Sequence, residues 1–431
     1  MSAAEEGDPL ALAAPTQAVA DAPVSPPHQA RRRFLRVAVV LSILVVLGGT
    51  ASALRTHRIA TRSSSISPET VTSLALEWTA AAGRGPAAPT VDGDTIYVST
   101  EAGLVAYPTT CVRTRGQCAA RWIDFVPDGP LTTPVVESGV VYAGSSTGSV
   151  YAFPARCSKP SCAPLWVGAA GPRSLSAPAV NSDFVYVSAN TLSAFPAGCG
   201  TGDAECPPAW TAVLRDPAAV GAPAVGGGLV VVGTQGREGR VMAFQAACSA
   251  RCDPVWVGET GGPTTGVVIS GGTVYTVARG EVFAFPLSCR GKCAPSWTGS
   301  FVAGGPLFEP GATGQPAVGQ GRLYVGGADG RLWMFPLDCP ETSCDPLGHI
   351  AIGGAALSTP VVRDGLVFVI SGAGLVAALR DDCRIGSGAC EPKWTDVLSA
   401  SASSPPSVTS AAIYVADDQG TIYAYHVRPA A

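Results

Sequence analysis

The chain has 431 residues, a net charge of -4 and only 14% charged residues, and its Gly (51) and Pro (37) content suits many short strands joined by tight turns better than helices. With 47% hydrophobic residues the composition is not a disordered one, and no basic block outside the N-terminal segment supplies the electrostatic footprint that nucleic acid requires. Nucleic acid is therefore excluded as an expected partner.

Residues 1 to 30 are rich in Ala, Pro and acidic side chains without an apolar period and read as a disordered cytoplasmic extension. Arg31, Arg32, Arg33 and Arg36 then precede Val37 to Leu54, a run of 18 residues without a charge. Such a run can span a bilayer as one transmembrane helix with its basic flank on the cytoplasmic side. Residues 31–54 are thus expected to be a signal anchor in the cell membrane, single-pass, with the remainder outside. The alternative is a signal peptide cut near Ala53, after the small-x-small pattern Ala51-Ser52-Ala53, which would release a secreted protein. The arginines with Phe34 and Leu35 also resemble a twin-arginine export motif. Residues 55–70 read as a linker.

From residue 71 to 428 the chain repeats itself in eight units of about 45 residues. The second unit shows the pattern clearly: Thr132 to Val136, Val140 to Ala143, Ser149 to Phe153 and Leu165 to Val167, here called strands A to D. A proline opens strand A at Pro89, Pro134, Pro178, Pro223, Pro316, Pro360 and Pro406, a position that tolerates it, with Gly266 in its place in the fifth unit. Strand B is a nearly continuous apolar run, which implies burial on both faces. The B-to-C turn usually ends in glycine (Gly103, Gly148, Gly280, Gly330, Gly374, Gly420), as a short hairpin requires. Four strands per unit at this period predict an all-β, eight-bladed β-propeller of four-stranded antiparallel blades. The eighth unit supplies only three strands, and Leu74 to Thr79 carries an unassigned strand with the strand-D tryptophan. That segment is expected to complete the last blade and remove an open edge.

Fourteen cysteines form seven close pairs, each between strands C and D: Cys111 with Cys118, Cys157 with Cys162, Cys199 with Cys206, Cys248 with Cys252, Cys289 with Cys293, Cys339 with Cys344, and Cys383 with Cys390. In six units the second cysteine precedes a tryptophan by four residues; Gly348 takes that place in the sixth. One pair per blade cannot bring four thiolates to one zinc ion, so structural disulfides are expected, each contributing ~2 kcal/mol on the chain-entropy model.

The run Val-Tyr-x-Gly-Ser-Ser-x-Gly-x-Val-Tyr-Ala-Phe, followed by the strand-D Trp, resembles the pyrroloquinoline quinone (PQQ)-like β-propeller repeat over about residues 74 to 426. The resemblance implies an inter-blade packing role for the tryptophan. That superfamily includes quinoprotein dehydrogenases and the non-enzymatic propeller lipoprotein of the outer-membrane assembly machinery. The repeat is specific for fold and weak for function, and the usual Asp-x-x-Thr-Gly link between strands C and D is replaced here by the cysteine pair. The adjacent cysteines and calcium-binding acidic cluster known from the quinoproteins have no counterpart in this sequence. No cofactor, metal or catalytic residue is therefore assigned. Asp417 and Asp418 read as a solvated turn, His349 and His426 as ordinary strand residues, and Trp333 as packing between blades.

The expected role is a non-catalytic extracytoplasmic scaffold, monomeric, that binds another protein or a cell-envelope polymer; a PQQ-dependent dehydrogenase is the alternative. Recognition is expected on loops that break the repeat. Trp297 to Pro316 spans 19 residues against about 12 elsewhere, and this insertion offers Phe301, Leu307, Phe308 and Glu309 as exposed contact residues or as a plug over the channel mouth. Neighbouring D-to-A loops place Asp128, Arg173, Arg215, Asp216 and Glu259 on the same face.

Overall fold

A computed structural model describes residues 65–111, 117–200, 204–214, 216, 221–301, 314–383 and 390–428. Strand order is A-B-C-D in each of eight antiparallel blades, for example Val135–Glu137, Val140–Gly144, Ser149–Pro154 and Trp166–Ala169 in blade 2. The last blade closes as expected: Leu74–Ala81 pairs antiparallel with Thr421–Val427, register Leu74 with Val427 through Ala81 with Thr421. Ile66, in the stretch read as linker, already belongs to the fold, 2% exposed with its N–H on Ser410 O. Among the described residues the 3-10 turn Val71–Ser73 is the helical element, and no helix is long and apolar enough to cross a membrane. The apolar run Val37 to Leu54 lies outside the described residues.

Because strand B is apolar on both faces, each blade must be covered on both sides, and stacking supplies the cover. The core accordingly divides into eight clusters, one at each junction between neighbouring blades. Between blades 2 and 3, for instance, Tyr142, Val150 and Trp166 pack on Val185, Val187 and Phe195. Trp333 packs between blades 5 and 6, against Phe301 and Phe335, as its position predicted.

Every junction also carries a directed hydrogen bond. At seven of them a strand-B tyrosine or strand-D tryptophan donates to the carbonyl two residues before the first cysteine of the next blade. Tyr97 Oη meets Ala155 O (2.7 Å), Tyr142 Ala197 O (3.1 Å), Tyr275 Leu337 O (3.2 Å) and Tyr324 Asp381 O (2.7 Å). Trp256 Nε1 meets Leu287 O (3.2 Å) and Trp78 Nε1 meets Thr109 O (3.4 Å), while Tyr186 and Trp210 share Ala246 O. At the closing junction Trp394 Nε1 donates to Leu74 O (3.1 Å). Blade 6, which lacks the tryptophan, compensates with Arg322, whose guanidinium adds bonds to Asp381 O and Cys383 O. Burial raises the phenol pKa of Tyr324 to about 12, so it stays a donor.

At Gly103, Gly148, Gly330, Gly374 and Gly420 the B-to-C turn glycine is demanded by close approach. At Gly148 (φ +103°) a Cβ would stand 1.4 Å from Gly171 O in the following D-to-A loop.

An unsatisfied buried carbonyl costs about 1–3 kcal/mol. Tyr97→Phe strips Ala155 O of its donor among the described residues, whereas Tyr186→Phe leaves Trp210 in place on Ala246 O. Denaturant unfolding is expected to show the larger loss, about 1–3 kcal/mol, for Tyr97→Phe, although the chemical change is the same. A second expectation concerns pH. His426 sits on the closing strand, Nε2 3.3 Å from Glu77 Oε2, and burial holds its imidazole below the ordinary range while Glu77 pulls weakly the other way. A depressed histidine leaves the unfolded chain binding the extra proton first, so this contribution is complete above pH ~6.5 and is lost as pH falls below it. Melting temperature should fall between pH about 7.5 and about 5.5, and fall less steeply in His426→Gln.

Candidate functional site

Strands A and C run toward one face of each blade and B and D toward the other, so D-to-A loops and B-to-C turns share one face while A-to-B turns and the cysteine loops share the opposite one. All seven expected disulfides are formed, with Cα–Cα separations from 5.0 to 6.2 Å, and no described cysteine is free. Seven structural disulfides fit an oxidising compartment.

On the D-to-A face, Asp128 lies in the loop between blades 1 and 2 and accepts a 2.5 Å hydrogen bond from Tyr151 Oη. That bond holds the Asp128 carboxyl below the usual carboxylate range, and burial together with Asp128 pushes the Tyr151 phenol up. Asp216 is paired to Arg240 Nη1 at 2.7 Å, and Arg240 also pairs with Glu238. Glu259 ends strand D of blade 4, exposed, 3.4 Å from Lys292 Nζ. Arg173 is exposed in the loop between blades 2 and 3. Arg215, Leu307, Phe308 and Glu309 lie outside the described residues.

Phe301 corrects an expectation. It is 5% exposed, against Trp333 (ring centroids 5.8 Å) and Phe335 (6.3 Å), with its N–H on Gly280 O. The aromatic slot opened by Trp333 draws it into the junction, so it anchors the start of the insertion. The return is anchored by Gln315, whose Nε2 donates to Ala222 O (3.0 Å) and Val267 O (3.4 Å), tying blade 6 to the inner strands of blades 4 and 5. Gly266 is what admits that side chain, since a Cβ there would stand 2.3 Å from Gln315 Cγ. This explains the glycine that replaces the repeat's proline.

Asp417 is the second correction. It is fully buried, not solvated: its carboxylate accepts the N–H groups of Gln419 (3.0 Å) and Thr421 (2.8 Å) and the Tyr423 hydroxyl (2.9 Å). It takes the turn-bracing slot that Thr100, Ser145, Thr234 and Ser371 fill in other blades. The alternation of Ser, Thr and Asp at one repeat position was the available signal. Asp418 is exposed and fastens Ser401 and Ser403.

The sequence reading also passed over the B-to-C turn of blade 4. Between Leu229–Gly233 and Arg240–Gln245 stand six residues, 234–239, where blade 2 has the four residues 145–148. The extra length carries Arg237 and Glu238.

Among the described residues no three His, Cys, Asp or Glu side chains stand together for a metal ion, and the cysteines are consumed in disulfides on the loop face.

No family model matches the sequence, and no curated protein matches it. Solved structures match the fold. BamB from Moraxella catarrhalis is 15% identical, covers 83% of this chain and 99% of its own, and superposes with a TM-score of 0.59. The computationally designed Ika8 protein is 10% identical over 80% of this chain and 98% of its own, TM-score 0.62. Sqt1 of Saccharomyces cerevisiae is 7% identical over 82% of this chain and 99% of its own, TM-score 0.66. At these identities the likeness shows the propeller fold alone.

Truncating Phe301 tests its reassignment. Phe301→Ala should cost about 3 kcal/mol in denaturant unfolding, the range for a buried aromatic, whereas a surface recognition residue would cost under about 0.5 kcal/mol.

Proposed function

We propose that the chain is a non-catalytic, extracytoplasmic scaffold that binds another protein through its D-to-A face. One observation carries this reading: two lengthened connections, the insertion between blades 5 and 6 and the B-to-C turn of blade 4, belong to the same face and to nearby blades. Loop variation on a constant strand scaffold is how repeat folds acquire recognition. The opposite face carries a cystine loop in seven blades, with cysteines four to seven residues apart, each committed to a disulfide.

Asp128, Asp216 and Arg240 supply a braced polar rim, since their side chains are already fixed by Tyr151 and by one another. Arg173 and Arg237 supply exposed positive charge, and Leu307, Phe308 and Glu309 the contact residues of the insertion. Attachment to the cell membrane through Val37 to Leu54, or release after cleavage near Ala53, would put this face outside the cytoplasm, in keeping with the seven disulfides.

The test is cross-linking capture from intact cells. Replacing Phe308 and Glu309 with Ala is expected to abolish most of the captured protein while melting temperature shifts by less than about 2 °C. Unchanged capture moves the site elsewhere; a large loss of stability makes the insertion a channel plug; capture of a glycan or other envelope polymer in place of protein overturns the partner class.

A further inference from the structure

Apart from first-turn contacts such as Cys199 N–H to Pro196 O (3.1 Å) and Cys289 N–H to Pro286 O (3.2 Å), the disulfide loops pair with the preceding blade and not with their own. In six junctions the loop of one blade reaches back and hydrogen-bonds the outer edge of strand D in the preceding blade. Cys118 N–H donates to Thr79 O (3.1 Å), Cys206 N–H to Val167 O (2.8 Å), Cys252 N–H to Thr211 O (3.2 Å) and Cys344 N–H to Thr298 O (2.7 Å). Ile123 N–H donates to Pro160 O (2.9 Å) and Thr298 N–H to Thr342 O (2.9 Å). Residues 204–205, 250–251 and Gly291–Cys293 form short parallel strands on the D strands of blades 2, 3 and 4. The second cysteine of these loops is buried in the core cluster shared with that preceding blade.

Where a cap is seen, the residue after the strand-D tryptophan is half-buried: Thr79, Ile123, Val167, Thr211, Val257 and Thr298. Among the described residues blade 7 has no such cap. Its neighbour presents the 3-10 turn Val71–Ser73 in place of a cystine loop, and Leu74 fills the place of the second cysteine, four residues before Trp78. There Thr395 is exposed, and the edge N–H of Val397 is taken by the Asp396 carboxylate at 2.9 Å.

An unpaired outer strand is a template for association with another chain. We propose that each disulfide loop is a clasp on the neighbouring blade, closing that blade's outer edge against a foreign strand, and that the cystine holds the clasp in its pairing shape. The disulfides thereby keep a ring of short open edges from self-association, in addition to any entropic stabilisation.

The proposal predicts effects in the blade that does not contain the altered cysteines. In Cys339→Ser/Cys344→Ser, amide hydrogen exchange at Thr298 of blade 5 should accelerate roughly tenfold or more, while Leu332 and Phe335 of blade 6 keep their protection. In Cys157→Ser/Cys162→Ser the reporter is Ile123 of blade 1, so a failure of either variant to fold leaves the other to decide. Light scattering at rising protein concentration should show self-association in the variants and a monomer in the parent chain. Faster exchange confined to the blade carrying the substitution, with Thr298 and Ile123 unchanged, overturns the proposal; so does faster exchange at both reporters without any self-association, which would make the loops bracing alone.

Discussion

The ring depends on one hydrogen bond repeated at its junctions: an aromatic donor of one blade meeting a backbone carbonyl at the mouth of the next blade's cysteine loop. Apolar stacking is non-directional and would tolerate sliding of one blade on another. A buried carbonyl with one designated donor does not, because losing the donor leaves a desolvated acceptor. The bond therefore sets the height and rotation of successive blades, and it places the loop whose second cysteine then enters the same junction. Variation around the ring supports this reading: blades 4 and 7 have Val231 and Phe368 where the others have tyrosine and rely on Trp256 and Trp394, while blade 6 has Gly348 where the others have tryptophan and relies on Tyr324 with Arg322.

The two faces follow from this arrangement. One carries a cystine loop in seven of the eight blades, with cysteines four to seven residues apart, and six of these loops meet the neighbouring strand edge among the described residues. The other is bounded by D-to-A loops and B-to-C turns, constrained mainly where turn glycines or the Ser, Thr and Asp braces touch them. That face is free to vary, and it carries the lengthened B-to-C turn of blade 4. Asp128 and Asp216 show how a charged side chain on it becomes part of the scaffold, each held by a partner from a neighbouring turn or strand.

The closing blade departs from its siblings in a way that the connectivity explains. Its C-to-D connection is replaced by pairing between Leu74–Ala81 and Thr421–Val427, so neither a cystine nor a loop is available to clasp blade 7. Leu74 supplies the apolar plug, Trp394 the junction hydrogen bond, and Asp396 the cover for an edge amide.

Blade number, strand order, ring closure and the disulfide partners were all legible in the sequence, because each rests on periodicity. Apolar runs, turn glycines and cysteines recur at fixed offsets, and local spacing leaves them one arrangement. What the sequence could not supply were contacts between residues about 30 to 60 positions apart, for which no local period exists. That Phe301 turns inward depends on the slot beside Trp333, and that Gly266 replaces proline depends on Gln315 arriving from the next blade; the partners of Asp417 are local, Gln419, Thr421 and Tyr423, and its slot is marked by the alternation of Ser, Thr and Asp at one repeat position. The cysteine pairs were visible as pairs, but which blade their loops hold was decided only when the blades stacked, since an edge strand takes the nearest backbone that satisfies it, and stacking puts the neighbour's loop there.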